Sequence, residues 1–264
     1  MEAAAVAVAG SVTPFSGATI TRPRPMLREV SRAMAQCSTC SLQQHCVPVG
    51  LDMEAARLLD RIVTSRIRLR KRDVLIRPGQ PFTALYAIRS GSCKTVLIAE
   101  DGNDQVSGYH IAGEIIGADG IATARHDCQA VALEDAEVCV LPFERIEQLA
   151  RNDSRVQATL HRLLSSEISR EHNLMLMLGT MRAHQRLASY LLDLSQRYGS
   201  RGYSSSEFML RMTREEIGSY LGLELETVSR LFSRFHREGL IQVQARLVKL
   251  LDRIALKQLV AASA

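Results

Sequence analysis

The sequence predicts an α+β chain in three parts: an N-terminal β-roll of the jelly-roll kind, one long helix, and a C-terminal winged helix-turn-helix. Three observations support this. Between about Ile67 and Phe143, short β-type runs alternate with glycine-centred turns. After Pro142 the apolar spacing changes to a period of three and four. Near the C-terminus, two short amphipathic helical patterns flank Gly222. The implied division is 1–36 as a flexible extension, 37–150 as a cysteine-bearing loop plus β-roll, 151–182 as the long helix, and 183–264 as the winged helix-turn-helix.

A chain of 264 residues, 46% hydrophobic and 23% charged, has the composition of an ordinary globular protein with ample core. No apolar stretch reaches the length of a membrane span. The start, Met1 to Gly10, is apolar, but Glu2 stands where a signal peptide has basic residues and the run is short, so a cytoplasmic chain is expected. The net charge of +5 has a location: residues 182–264 hold 13 Lys/Arg against 8 Asp/Glu, whereas residues 1–181 hold 20 of each. That places the basic excess in the part expected to meet a polyanion. No phosphate-binding loop, nucleophile elbow or metal-hydrolase motif occurs, which argues against an enzyme.

The first element is a loop with Cys37-x2-Cys40-x5-Cys46. Three thiolates so close together cannot all pair with one another, but they can turn onto one metal centre that awaits a fourth ligand. The residues alone leave three chemistries open: an iron–sulfur cluster, tetrahedral zinc, or a metal-free thiol–disulfide switch. The roll follows, with strands expected at Val74–Ile76, Leu85–Ile88, Thr95–Ile98 and Val138–Leu141. Turns fall at Pro78-Gly79, Ser90-Gly91, Asp101-Gly102-Asn103 and Ala112-Gly113.

The long helix is expected from about Asp153 to Met181. Leu164, Ile168, Glu171, Met175 and Leu178 recur along it at spacings of four, three, four and three, a coiled-coil seam suited to a symmetric homodimer. Leu160, Leu163, Leu174 and Met177 widen the stripe toward a second face that packs on the roll. Glu171 is out of character in such a seam. Either it turns to solvent or pairs with Arg170 or His172, or its repulsion from its twin weakens dimerisation until another event repositions the helix.

Thr213-Arg214-Glu215-Glu216 reads as a capping box opening a helix, which Gly222 ends. The next helix buries Val228, Leu231, Phe232 and Phe235 at i, i+3, i+4 and i+7. Glu226, Ser229 and Arg230 share another face, and these residue types read base edges: arginine donates to guanine, glutamate accepts from cytosine, serine approaches a base edge. Arg234 and Arg237 suit phosphates. Leu240–Val243 and Leu247–Leu250 read as the wing, with Ala245 in its turn where glycine is easier.

These motifs together resemble the cAMP receptor protein/FNR superfamily, and specifically its FNR (fumarate and nitrate reduction regulator) branch. The resemblance runs from Cys37 to the wing. Its further carriers are Leu85-Tyr86-Ala87-Ile88-Arg89-Ser90-Gly91, Ile217-Gly218-x-Tyr220-Leu221-Gly222-Leu223 and Glu226-Thr227-Val228-Ser229-Arg230-Leu231. It implies a [4Fe–4S] cluster on Cys37, Cys40, Cys46 and Cys139, the last matched by Val138-Cys139-Val140-Leu141-Pro142-Phe143. It also implies a homodimer that binds palindromic TTGAT-type sites without oxygen and loses its cluster, and its DNA affinity, in air. Glu226, Ser229 and Arg230 match the family's base-reading triad, Glu171 its acidic dimer-helix residue, and Asp101-Gly102-Asn103-Asp104 a turn that touches RNA polymerase.

Departures from the family pattern are as telling. Cys93 and Cys128 are extra thiols: Cys93 is expected to be structural, and Cys128 is a conceivable substitute for Cys139. His45 stands where the family usually has an apolar residue. It either tunes oxygen sensitivity from beside Cys46, by a hydrogen bond to a cluster sulfur or by admitting water, or faces solvent without effect. Gly113-Glu114 resembles part of a cyclic-nucleotide cassette, but Arg125-His126-Asp127-Cys128 lacks the small hydroxyl residue after the arginine, so no cyclic nucleotide is expected.

Overall fold

The structure, a computed structural model, describes residues 29–30, 37–42, 45–46, 53–63, 65–99, 102 and 104–261. Most of the stretch read as an N-terminal extension lies outside them, as do Glu100, Asp101 and Asn103. Two residues of that stretch, Glu29–Val30, form a short strand, β1. Helix α1 (Met53–Asp60) follows the cysteine loop. The roll then runs through β2 (Ser65–Leu69), β3 (Val74–Ile76), β4 (Ala84–Ser90), β5 (Ser92–Ile98), β6 (Asp104–Ile111), β7 (Ile115–Ile116), β8 (Cys128–Ala132) and β9 (Ala136–Pro142). Its strands form two antiparallel sheets, in the orders β1-β2-β9-β4-β7 and β3-β8-β5-β6.

Between the sheets lie Ile76, Ile88, Cys93, Ala130 and Val138, all without exposed surface. Cys93 is thus structural, as expected: burial pushes its thiol up to about 12, out of the reactive range. A second apolar layer, with Leu59, Ile62, Leu85, Leu141 and Ile146, lies under helices α1 and α2 (Phe143–Asn152). Helix α2 was not expected from the sequence, but the long helix starts where expected: Asp153 turns to extended backbone and accepts the Arg155 N–H as the N-cap of α3 (Ser154–Thr180). Leu160 and Leu163 of α3 pack on this layer, the expected second face of the helix.

Helix α4 (Ala183–Ser200) leads into the C-terminal unit: β10 (Glu207–Met209), α5 (Arg214–Leu221), α6 (Leu225–Arg237), β11 (Ile241–Gln244), β12 (Leu247–Leu250) and α7 (Arg253–Ala261). The capping box forms as read, with the Thr213 amide donating to Glu216 at 2.7 Å and the Glu216 amide to Thr213 Oγ1 at 3.1 Å. Gly222 closes α5 at φ 61, the left-handed turn that glycine adopts without strain. The wing is a three-stranded sheet in the order β10-β12-β11, with β10 added to the two strands expected. Val106, Tyr109 and Ile111 of the roll join Leu187, Leu191, Ile217, Val228 and Phe235 in one apolar cluster, so the helical unit docks on edge strand β6.

Ala245 turns the wing at φ 54, a left-handed conformation in which its Cβ is strained. Ala245→Gly is therefore expected to stabilise the chain by about 0.5–1 kcal/mol, the strain relieved less the added unfolded-state entropy. Urea unfolding of the two proteins checks this; an unchanged or lower midpoint rules it out.

Candidate cysteine centre and nucleic-acid interface

The cysteine loop is tied down by Ser38, whose amide and hydroxyl donate to Asp60 Oδ1 and Oδ2 at 2.9 and 2.6 Å at the end of α1. Inside the loop the Cys40 amide donates to the Cys37 carbonyl at 3.3 Å and the His45 amide to the Leu42 carbonyl at 2.9 Å. Cys37 and Cys46 rest on the layer of Leu59, Leu85 and Leu141, and Cys139 of β9 rests on the same layer. None of the six cysteines is in a disulfide, and the four expected ligands are each half-buried. Burial pushes the Cys37 thiol up to about 12, with further increments from Cys46, Cys139, Asp60 and Cys40. Four thiols therefore share one electrostatic neighbourhood, and several thiolates there need a compensating positive centre.

Among the described residues, no three His, Cys, Asp or Glu side chains are gathered as ligands of a metal ion. The fit to a [4Fe–4S] cluster is one of donor chemistry and location: four sulfurs outside any disulfide, with Cys37, Cys46 and Cys139 on one apolar floor and the remaining loop thiol, Cys40, within electrostatic reach. Cys128 does not join them. It lies on the other sheet, its amide donating to Asp119 at 3.2 Å, and is buried.

His45 is half-buried and sits against the next turn of the roll. Gly113 adopts φ +90, and a Cβ there would lie 2.6 Å from the His45 carbonyl oxygen. Only glycine lets the loop close on this turn. Beyond it, a cavity of about 120 Å³ is lined by His45, Gly113, Glu114, Leu164, Glu167 and Arg170 among others, so the loop and the long helix border one space.

Glu114, which sequence reading noted only as a cassette fragment, is the centre of this region. Its carboxylate accepts from Arg197 Nε at 3.0 Å, Arg201 Nη2 at 2.8 Å and the Ile111 amide at 3.0 Å, with Arg170 Nη2 at 3.8 Å. Burial alone raises its pKa, but Arg197, Arg170 and Arg201 outweigh that and hold it down at about 2. Arginine spacing alone gives no hint of a carboxylate some eighty residues away in sequence.

Of the expected seam, Ile168 and Met175 are 52% and 65% exposed, and Glu171 lies exposed between them. Leu164 and Leu178 are half-buried, Leu178 against Gly222. At the end of the helix Arg186, also missed from the sequence, donates to the carbonyls of Leu178 and Met181 at 2.7 and 2.9 Å and of Leu221 at 3.0 Å. One guanidinium thus caps the C-termini of α3 and α5 together.

In α6, Val228, Phe232 and Phe235 are buried, and Glu226, Ser229 and Arg230 are all exposed on the outer face. Arg237 is exposed beside them; Arg234 Nε donates to Glu238 at 2.7 Å, a surface pair easily exchanged for another anion. Gly102 turns at φ 84 between β5 and β6; its neighbours in the expected polymerase-contacting turn, Asp101 and Asn103, lie outside the described residues.

A β-roll joined by a long helix to a winged helix-turn-helix defines a DNA-binding transcription regulator rather than an enzyme. Residues 185–259 match the Crp-like helix-turn-helix domain family, and residues 66–153 the cyclic nucleotide-binding domain family. The chain is 49% identical to the transcriptional regulatory protein Btr of Bordetella pertussis, over 86% of its own length and 93% of the relative's. It is 39% identical to the anaerobic regulatory protein of Pasteurella multocida, over 84% and 82% respectively. The structure of FixK2 from Bradyrhizobium japonicum superposes with a TM-score of 0.69 at 29% identity, covering 75% of this chain and 98% of that one. The chain belongs to the CRP/FNR family of transcription regulators, in its FNR-type branch.

Acid stability follows from two buried groups. Burial lowers His110 to about 3, with Glu114 opposing and Arg170 and Arg197 reinforcing, so below pH 6.5 the unfolded chain takes up a proton that the folded chain refuses. Stability therefore falls by up to about 1.4 kcal/mol per pH unit below 6.5. Glu114, whose folded pKa is depressed, adds its loss only below its ordinary value of 4.5, down to about 2. His110→Gln is expected to flatten the pH 6.5–4.5 part of the profile alone. Urea midpoints across that range test this, and an identical slope in the variant removes His110 as the cause.

Proposed function

We propose that this chain is an oxygen-responsive transcription regulator in which Cys37, Cys40, Cys46 and Cys139 hold a [4Fe–4S] cluster. As a homodimer it binds palindromic TTGAT-type sites in the absence of oxygen. The observation that carries the proposal is the meeting of loop cysteines Cys37 and Cys46 with Cys139 over one apolar layer, with Cys40 in the same loop, in a chain whose relatives include an anaerobic regulator. When bound, the cluster supplies a redox group that oxygen destroys. In this division of labour residues 37–150 sense, 151–182 join two copies, and 183–264 read DNA.

The chain's own residues account for the rest. Cys46 ends the loop beside His45, whose carbonyl rests on Gly113, next to the Glu114 carboxylate that is bound from α3 and α4. Loop position is thereby passed to the helix bearing Ile168, Glu171 and Met175, which pair in the dimer. Glu171 keeps that pairing weak until the loop is in place. His45 acts here through its backbone seat, a role distinct from the sulfur contact and the solvent-facing ring considered from the sequence. Glu226, Ser229 and Arg230 read bases, while Arg234 and Arg237 hold phosphates. The turn at Gly102 offers a contact for RNA polymerase.

Cyclic nucleotide has no place in this reading. The Glu114 carboxylate is occupied by arginines, and Arg125 Nη1 donates to the Gly79 carbonyl at 2.7 Å. The cavity between roll and α3 that is lined by His110, Arg170 and Tyr220 holds about 140 Å³, against the roughly 300 Å³ or more of ordinary ligand pockets.

Anaerobically purified protein is expected to show broad visible absorption that bleaches in air, with loss of DNA binding and a shift from dimer to monomer in sedimentation. Cys139→Ser is expected to lack both the absorption and the dimer. A colourless, air-stable, zinc-containing protein, or one whose DNA binding follows reversible disulfide formation without metal, overturns the proposal in favour of zinc or a thiol switch. Glu171→Ala is expected to dimerise without cluster; a cluster-free variant that sediments as a monomer removes the role given to Glu171. Arg230→Ala is expected to cost about 1–3 kcal/mol at the cognate site and relax its sequence preference, whereas Arg237→Ala weakens all sequences alike and lowers the salt dependence. Binding titrations on cognate and scrambled duplexes at several salt concentrations separate the two.

A further inference from the structure

Cys139 does not stand on a neutral strand. Arg66 of β2 lies directly opposite it in the antiparallel register, so the two side chains emerge on the same face. Glu137, two residues earlier on that face, lies 3.5 Å from Arg66 Nη1, 3.6 Å from Arg68 Nε and 2.7 Å from Arg89 Nη1. Three guanidiniums and one carboxylate leave a net positive face around one cysteine.

The Nε–H of Arg66 is the informative group. It is buried and has no hydrogen-bond partner among the described residues. An unpartnered buried donor is costly, so its persistence points to an acceptor that is not always present. Cys139 is opposite, and its sulfur is a weak acceptor as a thiol and a strong one as a ligating thiolate. An iron–sulfur centre on four thiolates carries roughly two units of negative charge, and positive neighbours and hydrogen bonds to its sulfurs set its potential.

We propose that Arg66 is a positioning residue for the cysteine centre, its Nε–H donating to the sulfur of Cys139 while Arg89, held by Glu137, offsets the centre's negative charge. This deepens the cluster reading above and rests on it. Removing the guanidinium makes the centre easier to oxidise, because a positive neighbour favours the electron-richer state. Arg66 thus sets how readily oxygen is sensed, at a residue that binds neither iron nor DNA.

The test uses the full chain, reconstituted anaerobically, as wild type, Arg66→Met, Arg66→Lys and the control Arg68→Met. The readouts are the iron–sulfur stretching bands in resonance Raman and the rate of visible bleaching in air. In cluster-free protein, the readout is the rate at which iodoacetamide alkylates Cys139, followed by mass spectrometry at one neutral pH. Arg66→Met is expected to raise the stretching frequency, speed bleaching roughly tenfold, and slow Cys139 alkylation several-fold although it opens the site. Arg66→Lys keeps the charge but lacks the Nε donor, so its bands shift while bleaching rises less. Arg68→Met behaves as wild type. Should Arg66→Met fail to fold, the Lys spectrum decides. Wild-type bands together with an unchanged or faster alkylation rate overturn the proposal. A wild-type chain that takes up no cluster ends the cluster reading instead, and alkylation alone then decides whether Arg66 acts on Cys139.

Discussion

The buried carboxylate of Glu114 is the constraint around which the parts of this molecule are arranged. It sits in the turn between β6 and β7, and Arg197 of α4, Arg201 at the α4 C-cap and Arg170 of α3 converge on it. A carboxylate this enclosed is tolerable only because it is paired and hydrogen-bonded, and removing one partner leaves an uncompensated charge. The arginines are equally committed: Arg197 and Arg201 are about 90% buried and have exchanged water for this anion, for nearby carbonyls and, in the case of Arg197, for Asp193. The roll and the helical unit therefore cannot separate freely. Their apolar contact through Val106, Tyr109 and Ile111 supplies area, and the Glu114 cluster supplies register.

Two smaller devices make that register meaningful for function. Gly113 lets the cysteine loop touch the same turn, with the His45 carbonyl where any side chain would collide. Arg186 joins the end of the long helix to the end of the first helix of the DNA-binding pair. A displacement of the loop thus meets packed backbone and ion pairs at both steps. Packed interiors respond by switching between arrangements rather than by bending continuously, which suits a regulator with two states.

Much of this was legible in the sequence, for local reasons. Thr213 and Glu216 announce a helix start because a capping box is a four-residue event, and Gly222 announces its end because few residues tolerate the left-handed turn. Val228, Phe232 and Phe235 declare a buried face by period alone, which leaves Glu226, Ser229 and Arg230 outward. The Cys37, Cys40 and Cys46 spacing pointed to a shared centre, but the proposed fourth ligand, Cys139, lies on a strand almost a hundred residues away and came from family resemblance. What stayed hidden was long-range and polar. Nothing local marks Arg170, Arg197 and Arg201 as partners of Glu114, and Arg66 meets Cys139 only through a strand pairing that no window of sequence contains. The start of the long helix at Asp153 was legible, whereas the short helix α2 before it was not singled out.

The long helix illustrates why pattern and structure need each other. Its stripe is too wide for a simple seam, and the structure divides it: Leu160, Leu163 and Met177 face inward, while Ile168, Met175 and Leu176 lie exposed. An exposed apolar row on a helix of 27 residues, roughly 40 Å long, is unusual surface for a chain that stays alone. Glu171 interrupts that row, one residue from Arg170, which is itself drawn inward toward Glu114 and Glu167. The exposed carboxylate and the inward guanidinium are thus neighbours with opposite commitments. Whatever moves Arg170 changes the field at Glu171, so the charge that interrupts the apolar row stands beside the charge cluster that the cysteine loop borders.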